Sequence, residues 1–150
     1  MDWLIPIILI IDQISKRLAQ DFLKGKTIHI IGDFLTLSYV TNTGIAFGIF
    51  RGYAFLHGIL ATFVVTFIYI YRKKHLEKNK SMLFDISITF IIGGALGNIY
   101  DRVRIGYVVD MFNVKYFSVF NVADSFVTIG GVLLAIYYWR RSKNSWKKTF

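Results

Sequence analysis

The feature that most constrains this chain is a set of four apolar stretches, each close to the roughly 20 residues a helix needs to cross a bilayer. They run from about Trp3 to Leu23, from Tyr53 to Tyr71, from Met82 to Tyr100 and from Val122 to Trp139. In hydrocarbon every backbone N–H and C=O must find a partner, so only helices and closed barrels can span it. Stretches of this length predict helices. The expected fold is therefore an all-α membrane protein: four transmembrane helices, about 3–23, 53–71, 82–100 and 122–139, in one domain over 1–150. Composition agrees, with 55% hydrophobic residues and only 18% charged, against about a quarter charged in soluble domains. Mean hydropathy is +0.50.

The charges say how such a bundle would sit. Net charge is +9, but Arg72, Lys73, Lys74, Lys78 and Lys80 fall in one short stretch, and Arg140, Arg141, Lys143, Lys147 and Lys148 in the tail. Basic segments flanking apolar runs are held on the cytoplasmic side. That placement argues against nucleic acid as partner and for contact with anionic membrane lipid. It predicts an N-in, C-in bundle whose segments 24–52 and 101–121 share the outer face. The first stretch lacks a basic start and a small-x-small cleavage site, so it reads as a retained helix rather than a cleaved leader. With no Cys, thiolate nucleophiles, disulfides and Cys-ligated metals are excluded.

The outer segments carry their own pattern. "DFLTLSYVTN" (33–42) and "YVVDMFNVKYFSVFN" (107–121) are rich in β-branched and aromatic residues with partial alternation, which predicts two or more short strands. Open strand edges cannot lie in lipid, so this small sheet is expected at the outer membrane surface. Within the spans, Gly93 and Gly97, and again Gly131 and Ala135, have the small-x-x-x-small spacing that lets helices approach closely. Asp12 and Lys16 stand i, i+4 on the first helix and read as a structural ion pair, facing the bundle interior with Lys16 reaching toward the outer interface.

Four acids belong to the outer face: Asp33, Asp101, Asp110 and Asp124. Asp101 is closely followed by Arg102 and Arg104 and is expected to pair with them; Asp33, in "IGDF", reads as solvated turn. Asp110 in "YVVDMF" and Asp124 in "NVADSF" sit among apolar residues. Burial and a neighbouring carboxyl both favour a proton held on such a group, the arrangement of an aspartic-protease dyad. On residues alone, the two could equally bind a cation or cap helix ends. His29, His57 and His75 are scattered without an HExxH motif, which disfavours a zinc protease. A Ser/Lys hydrolase built from Ser15, Lys16 or Ser125 conflicts with the Asp12–Lys16 pairing. No Ca²⁺-loop spacing occurs, and the polar residues gather at one face rather than at a transporter's midplane.

The motifs "DQISK" (12–16), "NTGIAFG" (42–48), "GGALGNIYDRV" (93–103), "YVVDMF" (107–112) and "FNVADS" (120–125), in this order across four spans, resemble those of the bacterial lipoprotein signal peptidases, or signal peptidase II. The resemblance covers nearly the whole chain except the basic loop and tail. It implies a membrane aspartic endopeptidase that removes the signal peptide from a diacylglyceryl-modified prolipoprotein, cutting just before the lipidated cysteine. Asp110 and Asp124 would be the catalytic pair. Asn42, Gly44, Asn98, Asp101, Arg102 and Asn121 would shape the site and hold substrate, while Asp12 and Lys16 would support it. Neither metal nor cofactor is expected. The enzyme would be a monomer in the bacterial cytoplasmic membrane with its site outside, and the segment 33–50 would form a platform or lid that bends at Gly44 and Gly48. The alternative is a non-enzymatic four-span scaffold or ion-binding protein.

Overall fold

The computed structural model describes residues 1–44 and 52–146, with side chains described up to Lys143. Along the chain it forms α1 (Leu4–Leu23), β1 (Thr27–Ile31), β2 (Leu35–Asn42), α2 (Ala54–Lys78), α3 (Met82–Ile105), β3 (Val108–Val114) and α4 (Val122–Trp146). Among the described residues three helices, α2, α3 and α4, are long and apolar enough to cross a membrane. At 20 residues, α1 is about 30 Å long, but Asp12, Lys16 and Arg17 interrupt its apolar run. Large hydrophobic side chains stay exposed along the bundle, among them Phe63, Phe67, Leu60 and Val132. A water-soluble monomer rarely tolerates an apolar surface so large; it is the lipid-facing wall of a membrane fold.

The helices run further than the apolar runs that announce them. The basic stretch expected as a loop at 72–80 is helical as far as Lys78, leaving only Asn79–Ser81 as a turn. Lys, Arg and Glu are good helix formers, so the end of the hydrocarbon layer does not end the helix. α3 also continues through Asp101–Ile105 and stops at Gly106, whose φ of 77° is the left-handed cap that glycine adopts freely.

α3 is the central helix, packed against α1, α2 and α4. Of its apolar stretch 56% is buried, against 17% in α2 and α4. Glycines permit this. A Cβ on Gly93 would come within 2.9 Å of Ile8 on α1, and one on Gly94 within 2.9 Å of Val127 on α4. On α4 the glycine that matters is Gly130, where a Cβ would meet the Ser87 carbonyl at 2.7 Å. The expected Gly131–Ala135 contact is not made: both residues are exposed and Gly131 has no neighbour within reach.

The strands form one antiparallel sheet in the order β1-β2-β3. The sequence patterns of 33–42 and 107–121 appear as β2 and β3, while β1 adds a hairpin arm that was not anticipated. Its residues are exposed throughout. On β3, successive side chains face opposite ways. Val109 and Met111 pack on Ala19 and Leu23 at the end of α1, so Val108 and Asp110 are turned toward α3 and α4, where they line a cavity. That alternation positions the site.

Candidate active site

The cavity measures about 660 Å³. Ala61, Ala95, Val127 and Ile129 give it walls from α2, α3 and α4, and Phe117 and Phe120 line it at the end next to β3. Its polar lining is concentrated at that end in Asn42, Asn98, Arg102, Asp110 and Asp124. Asp110 comes from β3; Asp124 comes from the first turn of α4, where the helix dipole favours a negative charge.

Each carboxyl is held on both oxygens. Asp110 accepts from Asn121 Nδ2 at 2.8 Å on Oδ1 and from Asn42 Nδ2 at 3.1 Å on Oδ2. Asp124 accepts from Asn98 Nδ2 at 2.7 Å on Oδ1 and from the Asn121 backbone N–H at 3.2 Å on Oδ2. Asp110 is 3% exposed. Burial, and after it the negative charge of Asp124, push its carboxyl up to about 6, against the opposing hydrogen bonds of Asn42 and Asn121.

The amides that hold the acids are themselves oriented from below. Asn98 Oδ1 accepts from Lys16 Nζ at 3.0 Å and from Asn121 Nδ2 at 3.0 Å. An ammonium group cannot accept a hydrogen bond, so the oxygen of Asn98 must face Lys16 and its NH₂ must face Asp124. Asn121 Oδ1 accepts from the Asp124 N–H at 2.9 Å, which turns its NH₂ to Asp110 by the same logic. Lys16, 4% exposed, also contacts Asp12 at 2.8 Å and Asp101 at 2.9 Å. Asp12 in turn accepts from the Ala123 N–H at 2.9 Å, tying α1 to the start of α4. Gly97 is required there, since a Cβ on it would press into the Asp12 carboxyl, with Cγ at 3.0 Å.

All ten residues singled out in the sequence therefore meet at one end of the bundle, in two layers. Asp110, Asp124, Asn42, Asn98 and Arg102 line the cavity, and Asn121 lies between the acids. Asp12, Lys16 and Asp101 form the layer beneath. Two expectations change. Asp101 does not pair with Arg102 or Arg104; it meets Lys16, accepts from Gln13 at 2.9 Å and takes the Val109 N–H at 3.3 Å. Lys16 does not reach for the outer interface but crosses to α3. Arg102 points into the cavity and donates to the Gly44 carbonyl at 3.3 Å, while its buried Nε has no hydrogen-bond partner among the described residues. Gly44 is buried. The rest of the expected lid, 45–50 with Gly48, lies outside the described residues.

Gln13 was missed. A second polar side chain directly after Asp12 in an apolar helix was the available signal, and its amide bridges Asp12 and Asp101. The Ser/Lys alternative finds no geometry: Ser15 and Ser125 donate to backbone carbonyls of Asp12 and Asn121. His29 pairs with Asp33 in an exposed turn, and His75 sits at the other end of the bundle on Tyr137.

Residues 4–140 match the family described as signal peptidase (SPase) II. The chain belongs to the signal peptidase II family. It is 41% identical over 138 residues to a lipoprotein signal peptidase of Halothermothrix orenii, covering 91% of this chain and 93% of that one. Against a lipoprotein signal peptidase of Streptococcus agalactiae identity is 40% over 148 residues, with 94% and 95% covered. Among solved structures, a bacterial membrane enzyme determined by the in meso method at 2.3 Å superposes with a TM-score of 0.80 at 30% identity, covering 95% of this chain and 90% of that chain. A second, at 1.9 Å, gives 0.76 at 30% identity, with 91% of each covered. This signal peptidase II is thus a multi-pass membrane enzyme built from apolar helices and a small antiparallel sheet.

Proposed function

We propose that Asp110 and Asp124 are the catalytic dyad with which this chain, a membrane aspartic peptidase, removes signal peptides from prolipoproteins. The observation that carries the reading is the pairing itself: two carboxyls, each held by N–H donors on both oxygens, at the polar end of an otherwise apolar cavity. Asp110 holds the proton and polarises the scissile carbonyl. Asp124 takes a proton from the attacking water. The roles reverse as the amine leaves. The apolar walls exclude competing water and strengthen the field at the reacting atoms. Arg102, whose buried Nε–H has no partner among the described residues, is placed to hold a substrate carbonyl, and Asn42 and Asn98 keep the acids in register.

The substrate suits this cavity. A signal sequence is an apolar helix and its diacylglyceryl group a lipid, and both fit walls drawn from α2, α3 and α4. The cut falls just before the lipidated cysteine, at the level of the dyad. In the same reading α1 is a fourth span in a single domain over 1–150, and the bundle lies N-in and C-in as a monomer in the bacterial cytoplasmic membrane. The sheet and site then face outward, where the lipid can stay in the outer leaflet during cleavage. A non-enzymatic scaffold would have no use for two amide-held acids in an apolar cavity.

Two experiments test this. Asp110→Asn and Asp124→Asn should each lower cleavage of a lipidated precursor by on the order of 10³-fold or more with unchanged membrane insertion; normal turnover by either removes the assignment. For the orientation, Lys78→Cys should react with an impermeant thiol reagent only after the inner face is opened, and Lys115→Cys from outside in intact cells. The opposite pattern would put the site in the wrong compartment.

A further inference from the structure

We propose that a second pocket, at the end of the bundle remote from the Asp pair, binds the phosphate headgroup of an anionic phospholipid. The pocket holds about 450 Å³, with Leu83 and Tyr137 as its floor, Asn79 and Ser81 at the α2–α3 turn, and Arg140 and Arg141 from α4 as its cationic wall. Asp124 and Arg141 stand on the same helix, α4, about 25 Å apart along its axis, so the pocket is no extension of the catalytic cavity.

The charge there is uncompensated. Arg17 and Arg72 each meet a carboxylate, whereas Arg140 and Arg141 have none within ion-pair distance among the described residues. Arg141 is nonetheless anchored: its Nη1 donates to Tyr137 Oη at 3.1 Å, and that buried hydroxyl is also held by His75 Nε2 at 2.9 Å. A fixed guanidinium with free N–H groups beside a second one matches the oxygens of a phosphodiester.

Depth selects a lipid over a free anion. Tyr71, Tyr138 and Trp139 are exposed at this level, with the two tyrosine hydroxyls 3.1 Å apart and Lys143 lying 4.2 Å over the Trp139 ring. Such aromatic belts mark the headgroup layer. Toward the middle of the bundle the surface turns apolar at Phe67 and Val132, giving acyl chains a wall beside the phosphate. A zwitterionic lipid would bring its own cation against Arg140 and Arg141, so the pocket favours an anionic headgroup such as phosphatidylglycerol.

The test uses the purified full chain in neutral detergent, with retained lipid counted by native mass spectrometry. The arms are phosphatidylglycerol, phosphatidylcholine, and phosphatidylglycerol competed with inorganic phosphate. The unaltered chain should retain phosphatidylglycerol in preference to phosphatidylcholine, and millimolar phosphate should not displace it. Arg140→Gln with Arg141→Gln should lower retention by about tenfold or more. Lys74→Gln with Lys78→Gln removes the same charge from the same end but outside the pocket, and should leave retention unchanged. Equal losses in the two pairs would reduce the effect to diffuse charge and overturn the site. Displacement by phosphate, or no headgroup preference, would overturn the lipid. Should the glutamine pair misfold, Arg140→Lys with Arg141→Lys keeps the charge but loses the forks; undiminished retention there also overturns the proposal. Cleavage by the Asp pair is a separate readout and is expected to persist in every variant.

Discussion

Among the described residues the bundle buries two cations almost completely, Lys16 at 4% exposure and Arg72 at 1%, and it uses them differently. Arg72 bridges Asp2 and Asp85, the latter at 2.6 Å. It joins the chain before α1 to α2 and α3, and with Lys73 it holds the Asp2 carboxyl far below the usual carboxylate range. Its ion-pair partners are both carboxylates, and neither lines the cavity that holds Asp110 and Asp124. Lys16 also takes two carboxylates, Asp12 and Asp101, but one further N–H goes to the neutral Asn98, which passes the orientation on to Asp124. A planar guanidinium suits a two-acid clamp, whereas an ammonium has donors on a compact centre for unlike acceptors. A buried ion pair is thus a fastener at one end of the molecule and, at the other, the base on which the Asp124 carboxyl is aligned.

Replacing each cation by an apolar chain of similar length should separate these uses. Lys16→Met leaves Asp12 and Asp101 buried without their cation, a loss of about 3–5 kcal/mol. It also frees the Asn98 amide to turn, so cleavage per folded molecule should fall by about 10²-fold, the scale of small misplacements in a site. Arg72→Met should destabilise on the same ~3–5 kcal/mol scale, yet leave cleavage per folded molecule unchanged. Thermal melting in detergent and turnover corrected for folded fraction measure both. If the Arg72 variant lost turnover as the Lys16 variant does, the two clusters would be equivalent and the relay through Asn98 would be wrong.

The sequence showed this contrast only in part. Hydropathy exposed the helices because lipid-facing surface must be apolar over their whole length, and the alternation in 107–121 exposed β3. Asp110, Asp124, Asp12 and Lys16 stood out because charged groups in an apolar chain are costly and therefore few, whereas Asn42, Gly44, Asn98, Asp101, Arg102 and Asn121 were assigned to the site only through the motif resemblance. Pairing was not legible. Asp101 has two arginines within three residues, yet its cation comes from position 16, because α3 presents Asp101 to α1 while Arg102, one residue on, points into the cavity. Likewise Gly130 rather than Gly131 lies on the α3 side, a difference of about 100° of helix rotation that spacing alone does not fix. β1 escaped because all of its residues are exposed, so no burial pattern marks it.

The smallest expected effect probes the acids against each other. Asp110 lies on β3, outside the helices, and its carboxyl is pushed up to about 6 first by burial and then by the charge of Asp124. The folded state therefore holds this proton more tightly than the unfolded chain, whose carboxyl titrates near ~4. Its contribution to stability is full below about 4 and is lost as pH rises through about 6. If Asp110 is the proton-bearing partner, kcat/KM should fall on the alkaline side of the same value. Asp124→Asn removes the second cause but keeps the first. The Asp110 titration, followed by carboxyl carbon NMR, should move down yet stay above an ordinary aspartate, because desolvation is the larger cause. A titration that did not move would mean that the two carboxyls do not sense each other, and two acids that do not sense each other cannot share a proton.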